Sequence, residues 1–577
     1  MTSDTQMVTT PVSAKAGSRR GGDAAWILNA VYILTFAVVV VLVTIPLGAL
    51  VYGSFRSTGP GIPGEWTLQN YAALASRGIV RSMGVTLWIS ILSSAFCVVI
   101  GTMIAVIVHR TDFKYSRTVT VLLGLAFYFP SFILAMSWII IGSPGGVLNT
   151  LLGMVIDPSV FRVNIYTISG IVFVMVLNQV PFVYLTMRGP ILSMDGIYEE
   201  AARTSGARPY QVLFRVTLPL LAYSIISSFI LTFILNIEQF AIPAMIGIPG
   251  KVSVLATQLY LLVRFTPVDY GLAAAIGLAL SILTGAAIWA QRRVTKLGRL
   301  TTVTGKAGRA APIRLKHWKW PAYFLCFGVI VLALVLPMAI LVYTSVLKYF
   351  TANPLNASYT LRNYVFMWES AATMRSFWNT LIVSGVGAAI GVTLGLLSSY
   401  FTLRARPRGY QALDFVATLP FGMPGIVMGL GLLWAYAYLP LPIYGTLSII
   451  IIAFVTRFLP YATETIGGQL VQIDKSLEEA AWVGGATRLG AIQRILVPLV
   501  APSIQGAYFL LFMAFFREIS SAVLLYTGST EVISISIWAF FEQANWGLAS
   551  AMSVAATVVI FLAMSLIMWL MPTARRA

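Results

Sequence analysis

An all-α polytopic membrane protein built from two tandem six-helix halves is the fold class this sequence predicts, and three observations predict it. The 577 residues are 58% hydrophobic and only 10% charged, with mean hydropathy +0.86, far outside the range of water-soluble domains. Apolar runs long enough to cross a hydrocarbon core of ~30 Å recur along the whole chain. A polar segment that interrupts these runs appears twice, with its key residues 279 positions apart.

The apolar runs fall near 26–53, 82–108, 117–141, 165–187, 221–247 and 269–291, and again near 320–346, 377–403, 412–438, 445–469, 500–527 and 546–571. Residues 1–25 precede them as a polar tail carrying Lys15, Arg19 and Arg20. The run from Trp26 is too long for a signal-peptide core and lacks a small-residue cleavage pattern, so it is expected to remain as the first membrane helix. Residues 26–291 make the first half and 320–577 the second. Between them, 292–319 form a basic linker with Arg292, Arg293, Lys296, Arg299, Lys306, Arg309, Arg314 and Lys316.

Lys and Arg collect in the linker and in the short loops, which places these and both termini in the cytoplasm by the positive-inside rule. The net charge of +19 therefore needs no nucleic acid to explain it. Residues 54–76 and 349–370 then lie outside, where Thr67-Leu68-Gln69-Asn70-Tyr71 is answered by Thr360-Leu361-Arg362-Asn363-Tyr364. That pair is 293 positions apart rather than 279, so the first half carries 14 extra residues between its outer loop and its polar segment. Residues 142–164 are the expected place, where Leu148, Leu151, Leu152 and Val155 suggest a short amphipathic element at the interface, with a disordered loop as the alternative. An even number of spans per half leaves both halves the same way up, related by a pseudo-two-fold along the membrane normal.

The repeated polar segment reads Glu200-Ala201-Ala202, then Gly206 and Leu218-Pro219, and returns as Glu479-Ala480-Ala481, Gly485 and Val497-Pro498. Asp195 and Asp474 are placed to cap a short helix, and Glu199/Glu200 and Glu478/Glu479 favour the positive end of its dipole. The alanines leave a narrow face, and Gly206 and Gly485 suit a left-handed residue at the helix end. Pro219 and Pro498 fit the first turn of the next membrane helix.

This pattern resembles the EAA loop of ABC importer permeases. Further strings, Ser143-Pro144-Gly145-Gly146-Val147-Leu148-Asn149, Asn164-Ile165-Tyr166, Phe240-Ala241-Ile242-Pro243-Ala244-Met245-Ile246-Gly247 and Arg517-Glu518-Ile519-Ser520-Ser521, resemble the fused two-half permeases of ferric-iron type. The resemblance implies that Glu200, Ala201, Ala202, Gly206, Glu479, Ala480, Ala481 and Gly485 seat in the clefts of an ATP-binding subunit homodimer. It also implies a periplasmic or extracellular substrate-binding protein as partner, a bacterial inner-membrane location, and a small polar cargo. Ferric iron or its chelate is favoured for that cargo, beside phosphonate, thiamine or polyamine. No phosphate-cradling Gly-x-x-x-x-Gly-Lys-Ser/Thr run occurs, so ATP and Mg belong to a separate ATPase chain and none is expected as a cofactor here.

Charges inside apolar runs are the second signal, because each costs ~2.5–3.5 kcal/mol at mid-helix unless paired or hydrated. Glu238, Arg457, Glu464, Arg517 and Glu518 stand out. At the 279-residue offset Glu238 corresponds to Arg517 and Asn178 to Arg457. These six residues are the candidate substrate pathway or gate, with Glu238 and Arg517 expected to pair across the axis, either as a gate or as a helix-pinning ion pair. Pro181 and Pro460 are expected to break their helices nearby, either freeing carbonyls to line a cavity or making a passive kink.

Other classes fit less well. Cys97 and Cys326 sit in apolar runs, and His109 and His317 are the only histidines, so neither a disulfide framework nor a Cys/His metal site is expected. No nucleophile and base constellation points to catalysis. A proton-coupled transporter of the major facilitator type also has two parallel six-helix halves. It gives no reason for the duplicated polar segment, and the loop from His109 to Lys114 lacks the glycines such transporters carry.

Overall fold

A computed structural model describes residues 18–157, 159–299, 312–438 and 442–570. Ten helices are long and apolar enough to cross a membrane, and two further pairs are bent at a short break, giving twelve spans if each bent pair counts as one. The first half supplies Trp26–Ser54, Arg77–Arg110, Ser131–Leu152, Ile168–Ser193, the pair Tyr210–Leu220 and Ala222–Ile237, and Tyr270–Thr295. The second supplies Lys316–Ser345, Ala371–Ala405, the pair Tyr410–Gly422 and Gly425–Tyr436, Leu447–Gln472, Arg488–Phe516 and Trp546–Leu566. No strand occurs among the described residues; three isolated bridges tie loops together.

Four spans differ from the continuous runs expected. The 117–141 run divides into Ser116–Tyr128 and Ser131–Gly142, and the 412–438 run bends by 111° between Gly422 and Gly425. Pro130 and Pro424 are the cause: each lacks an N–H and forces its predecessor out of helical geometry. Phe129 and Met423 accordingly have ψ of 124° and 103°. The runs expected at 221–247 and 500–527 stop early, at Ile237 and Phe516. There Glu238 and Arg517 take the C-cap positions, and the chain continues as turns and short helices before the last span.

Pro181 and Pro460, by contrast, lie inside the unbroken helices Ile168–Ser193 and Leu447–Gln472. The expected break is absent. The helices from 168 to 217 reappear 279 residues later with the same limits, including Ile197–Thr204 against Ser476–Val483.

Within each half the second span packs along the fourth, Arg77–Arg110 on Ile168–Ser193 and Ala371–Tyr400 on Leu447–Gln472. The first spans cross over: Ser18–Ser54 packs on Gly425–Tyr438 of the second half, and Leu336–Ser345 on Ser131–Gly142 of the first. Tyr32 makes the same crossing with a hydrogen bond to the Arg408 carbonyl. One core therefore runs through both halves, with Trp434, Tyr184, Phe132, Phe240 and Phe454 fully buried. Large apolar side chains left exposed, such as Trp88, Phe96, Val99 and Met103 on one helix, are what a helix facing lipid presents.

On the outer side, Asn70 donates to the Ser54 and Arg56 carbonyls, and Asn363 to those of Ser345 and Leu347. Tyr71 and Tyr364 complete the matched turns through Ser54 and Ser345. Asn70 is buried by this arrangement. The extra segment of the first half contains the helix Val147–Leu152 and is stapled by Asn149, which bonds Ser143 O, Val163 O and Val163 N.

Candidate functional site

The two polar segments form matching helices, Ile197–Thr204 and Ser476–Val483. Asp195 and Asp474 lie one position ahead of the caps and accept hydrogen bonds from the first helical amides, Ile197 N at 3.1 Å and Ser476 N at 2.9 Å. The Ser476 amide holds the Asp474 carboxyl below its usual range. Gly206 and Gly485 both have φ of +86°, a left-handed conformation that glycine adopts without strain. Glu200, Ala201, Gly206, Glu479, Ala480 and Gly485 are exposed, and Ala202 and Ala481 half-buried.

The first glutamate of each pair does something else. Glu199 is buried, 3.8 Å from the Arg110 guanidinium, and accepts from the Thr217 hydroxyl at 2.7 Å. Arg110 also donates to the Met194 carbonyl. In the second half Glu478 is buried 3.7 Å from Arg404, which donates to the Leu470 and Ile473 carbonyls. An arginine at the end of the second span thus pins each short helix to the loop that follows the fourth span, and in the second half to the fourth span itself. Arg110 and Arg404 were missed as partners because they obey a 294-residue offset, close to that of the outer loops, rather than 279. That offset was the signal available to find them.

Arg110 has a further neighbour, supplied by the linker. Ile313, at the far end of the linker, bridges to Thr111, with Ile313 N donating to the Arg110 carbonyl and Asp112 N to the Ile313 carbonyl. Asp112 then accepts from Leu315 N and lies 3.6 Å from Lys319.

Deeper in the molecule, the intramembrane charges gather between the halves in a pattern that differs from the expected one. Arg457, not Arg517, meets Glu238, at 3.5 Å, and it also holds Glu518 at 2.6 Å. Arg517 donates instead to the Phe127 carbonyl of the first half and lies 5.1 Å from the Phe127 ring centre. Equivalent positions need not touch when the residues sit off the axis. Arg457 wins the carboxylates because it lies on the fourth span and reaches both helix ends. Glu518 is held further by the Ser521 amide, whereas the Glu238 carboxylate accepts no backbone amide among the described residues. Asn178 accepts a long contact from Gln239 at 3.5 Å. Glu464 is exposed two turns further along the Arg457 helix, apart from this cluster.

Gly425, at the break in the third span, makes room for the Arg457 guanidinium. A Cβ there would lie 1.9 Å from Arg457 Nη1 and 2.9 Å from Ser520 Cβ. Sequence reasoning gave no hint of this, since the approach exists only after the span bends. Among the described residues no cluster of His, Cys, Asp and Glu that could hold a metal ion is present.

The family described as "Binding-protein-dependent transport system inner membrane component" matches residues 97–299 and 391–576, once in each half. Among curated proteins, the ferric transport system permease protein FbpB of Actinobacillus pleuropneumoniae is 29% identical over 420 residues, 71% of this chain and 60% of that protein. A putative ferric transport system permease protein FbpB 1 of Haemophilus influenzae is 30% identical over 381 residues, 64% of this chain and 58% of its own length. The chain thus spans about three-fifths of the length of these two relatives. A solved bacterial alginate ABC transporter in complex with its periplasmic protein aligns at 21% identity and a TM-score of 0.37, covering 44% of this chain and 94% of that one. With the family matched twice, in the same order as the duplicated helices, the chain belongs to the binding-protein-dependent transport system inner membrane components and carries two permease halves fused in one polypeptide.

Proposed function

We propose that this chain is the transmembrane permease of an ATP-driven, binding-protein-dependent importer, and that it moves its cargo between its two halves by alternating access. One observation carries the reading: two short helices with the same limits, caps and left-handed glycines, each anchored by a buried glutamate to an arginine and each presenting a second glutamate and an alanine face outward. A duplicated, rigid, exposed element suits a two-fold partner. Glu200, Ala201, Ala202 and Gly206, with Glu479, Ala480, Ala481 and Gly485, are the residues that would receive ATP-driven closure from an ATPase homodimer, which supplies ATP and Mg. In this reading both termini, the linker and the two short helices are cytoplasmic, and a binding protein delivers cargo to the outer face.

The cluster of Glu238, Arg457 and Glu518 is then the closed point of the pathway. Arg457 and Glu518 belong to one half and Glu238 to the other, so parting the halves breaks the 3.5 Å contact and leaves the 2.6 Å one intact. Ferric iron or a ferric chelate is the cargo supported by the relatives' printed names.

Uptake of radiolabelled ferric citrate by cells carrying the complete transporter tests both parts. Glu200→Ala with Glu479→Ala should leave the chain in the membrane but abolish ATPase copurification and uptake, with the proton gradient intact. Full uptake by that variant refutes the coupling role. The charge swap Glu238→Arg with Arg457→Glu should recover part of the transport lost by either change alone.

A further inference from the structure

We propose that Arg517 is an anion-binding residue of the pathway, so that the cargo passes this point as an oxyanion-bearing solute, either a carboxylate-chelated metal or a phosphonate-like anion, and not as a bare cation. The inference rests on the importer reading given above for its place in transport, though not for the binding itself.

The observation is a guanidinium that forms no ion pair among the described residues. A guanidinium carries five N–H donors, and Arg517 gives one hydrogen bond to a protein acceptor among the described residues, the neutral Phe127 carbonyl. The two carboxylates that sequence position offers it are both engaged elsewhere. Glu518, next in the chain, is drawn 2.6 Å from Arg457 and also accepts from Ser521 N, and Glu238, the repeat equivalent, lies 3.5 Å from Arg457. An ionised group at this depth is costly unless it is paired or hydrated. None of the Arg517 nitrogens is among the sealed polar atoms without a partner, and the residue is only partly buried, so its remaining donors face reachable space.

Charge on the two walls gives the direction. Glu238 is the only one of these four charges on the first half, while Arg457, Arg517 and Glu518 leave a net positive charge on the second. When the halves part, Arg457 keeps Glu518 and is neutralised, which leaves Arg517 as the uncompensated charge in the opening. A planar guanidinium is suited to grip carboxylate or phosphonate oxygens by two parallel bonds.

The test uses the full chain in nanodiscs of zwitterionic lipid at constant chloride, with thermal unfolding as the readout of binding. Citrate, ferric citrate and methylphosphonate are the anionic probes, and spermidine and thiamine the cationic ones. We expect at least one anion to raise the unfolding temperature in a saturable way, with ferric citrate ahead of methylphosphonate if the source is a metal chelate and the reverse if it is a phosphonate. Arg517→Gln should weaken that binding at least tenfold, Arg517→Lys should restore part of it, and Arg488→Gln on the exposed cytoplasmic side should leave it unchanged. Should Arg517→Gln not fold, phenylglyoxal modification of the unaltered chain decides the matter: the bound anion should protect Arg517, read by peptide mass spectrometry. Equal anion binding by Arg517→Gln, no protection of Arg517, or stabilisation by the cations alone overturns the proposal. Anion binding that survives Glu200→Ala with Glu479→Ala separates this site from the coupling reading, whose failure would appear as undiminished uptake.

Discussion

Thr217→Val removes one oxygen from the anchor of the first short helix and little else, and its consequence can be worked from the structure. Thr217 is fully buried, its hydroxyl donates to Glu199 Oε1 at 2.7 Å, and valine has nearly the same shape. A hydrogen bond to a charged group contributes about 1.5–3 kcal/mol. The arginine remains 3.8 Å away, so Glu199 does not become an isolated buried charge and the larger penalty for breaking a buried pair does not apply. A loss of ~2 kcal/mol corresponds to a roughly 30-fold rise in local opening. The second half provides the control within the same molecule, because Leu496 occupies the equivalent position and Glu478 has no such hydroxyl. Hydrogen exchange on the full chain in nanodiscs should therefore show faster exchange of the amides in Ile197–Thr204 and no change in Ser476–Val483. In the unaltered protein the second helix should already be the less protected of the two. Unchanged exchange in the first helix, or an equal loss in both, would refute the claim that this hydroxyl supports the coupling element.

Gly425→Ala should displace the Arg457 guanidinium, since the new methyl would sit 1.9 Å from Nη1; overpacking of this kind costs about 1–3 kcal/mol, visible as a lower unfolding temperature and reduced uptake. Gly328→Ala, whose Cβ meets nothing within 4 Å, should show neither effect. Asp474 has its carboxyl held below the ordinary value of 3.8 by the Ser476 amide, so the stability it lends is complete above that value and fades as pH falls through the lower folded-state one. Protection of the Ser476–Val483 amides should decline in that acid window, and Asp474→Ala should abolish the decline; an unaltered pH profile in the variant would contradict the assignment.

Composition and periodicity determined the membrane fold, because a bilayer leaves helices as the way for apolar runs of this length to satisfy their backbone. The duplication was legible for a related reason: one constant offset holds wherever both halves build the same local structure without an insertion between, 279 residues from Ile168 through Leu220 and again at Glu238 and Arg517, and 293 at the outer turns that precede the extra segment. Local chemistry likewise marked Gly206 and Gly485, whose left-handed turns depend on neighbours in sequence. Pairing between distant side chains was not legible. Repeat equivalence matched Glu238 with Arg517, yet which guanidinium reaches which carboxylate depends on the bend at Gly425 and on the rotation of the Leu447–Gln472 helix, and these placed Arg457 between Glu238 and Glu518. The crossing of the first spans onto the opposite half has the same origin. A hydrophobic helix carries no address for its partner in the sequence, and only the packing of complete surfaces chooses it.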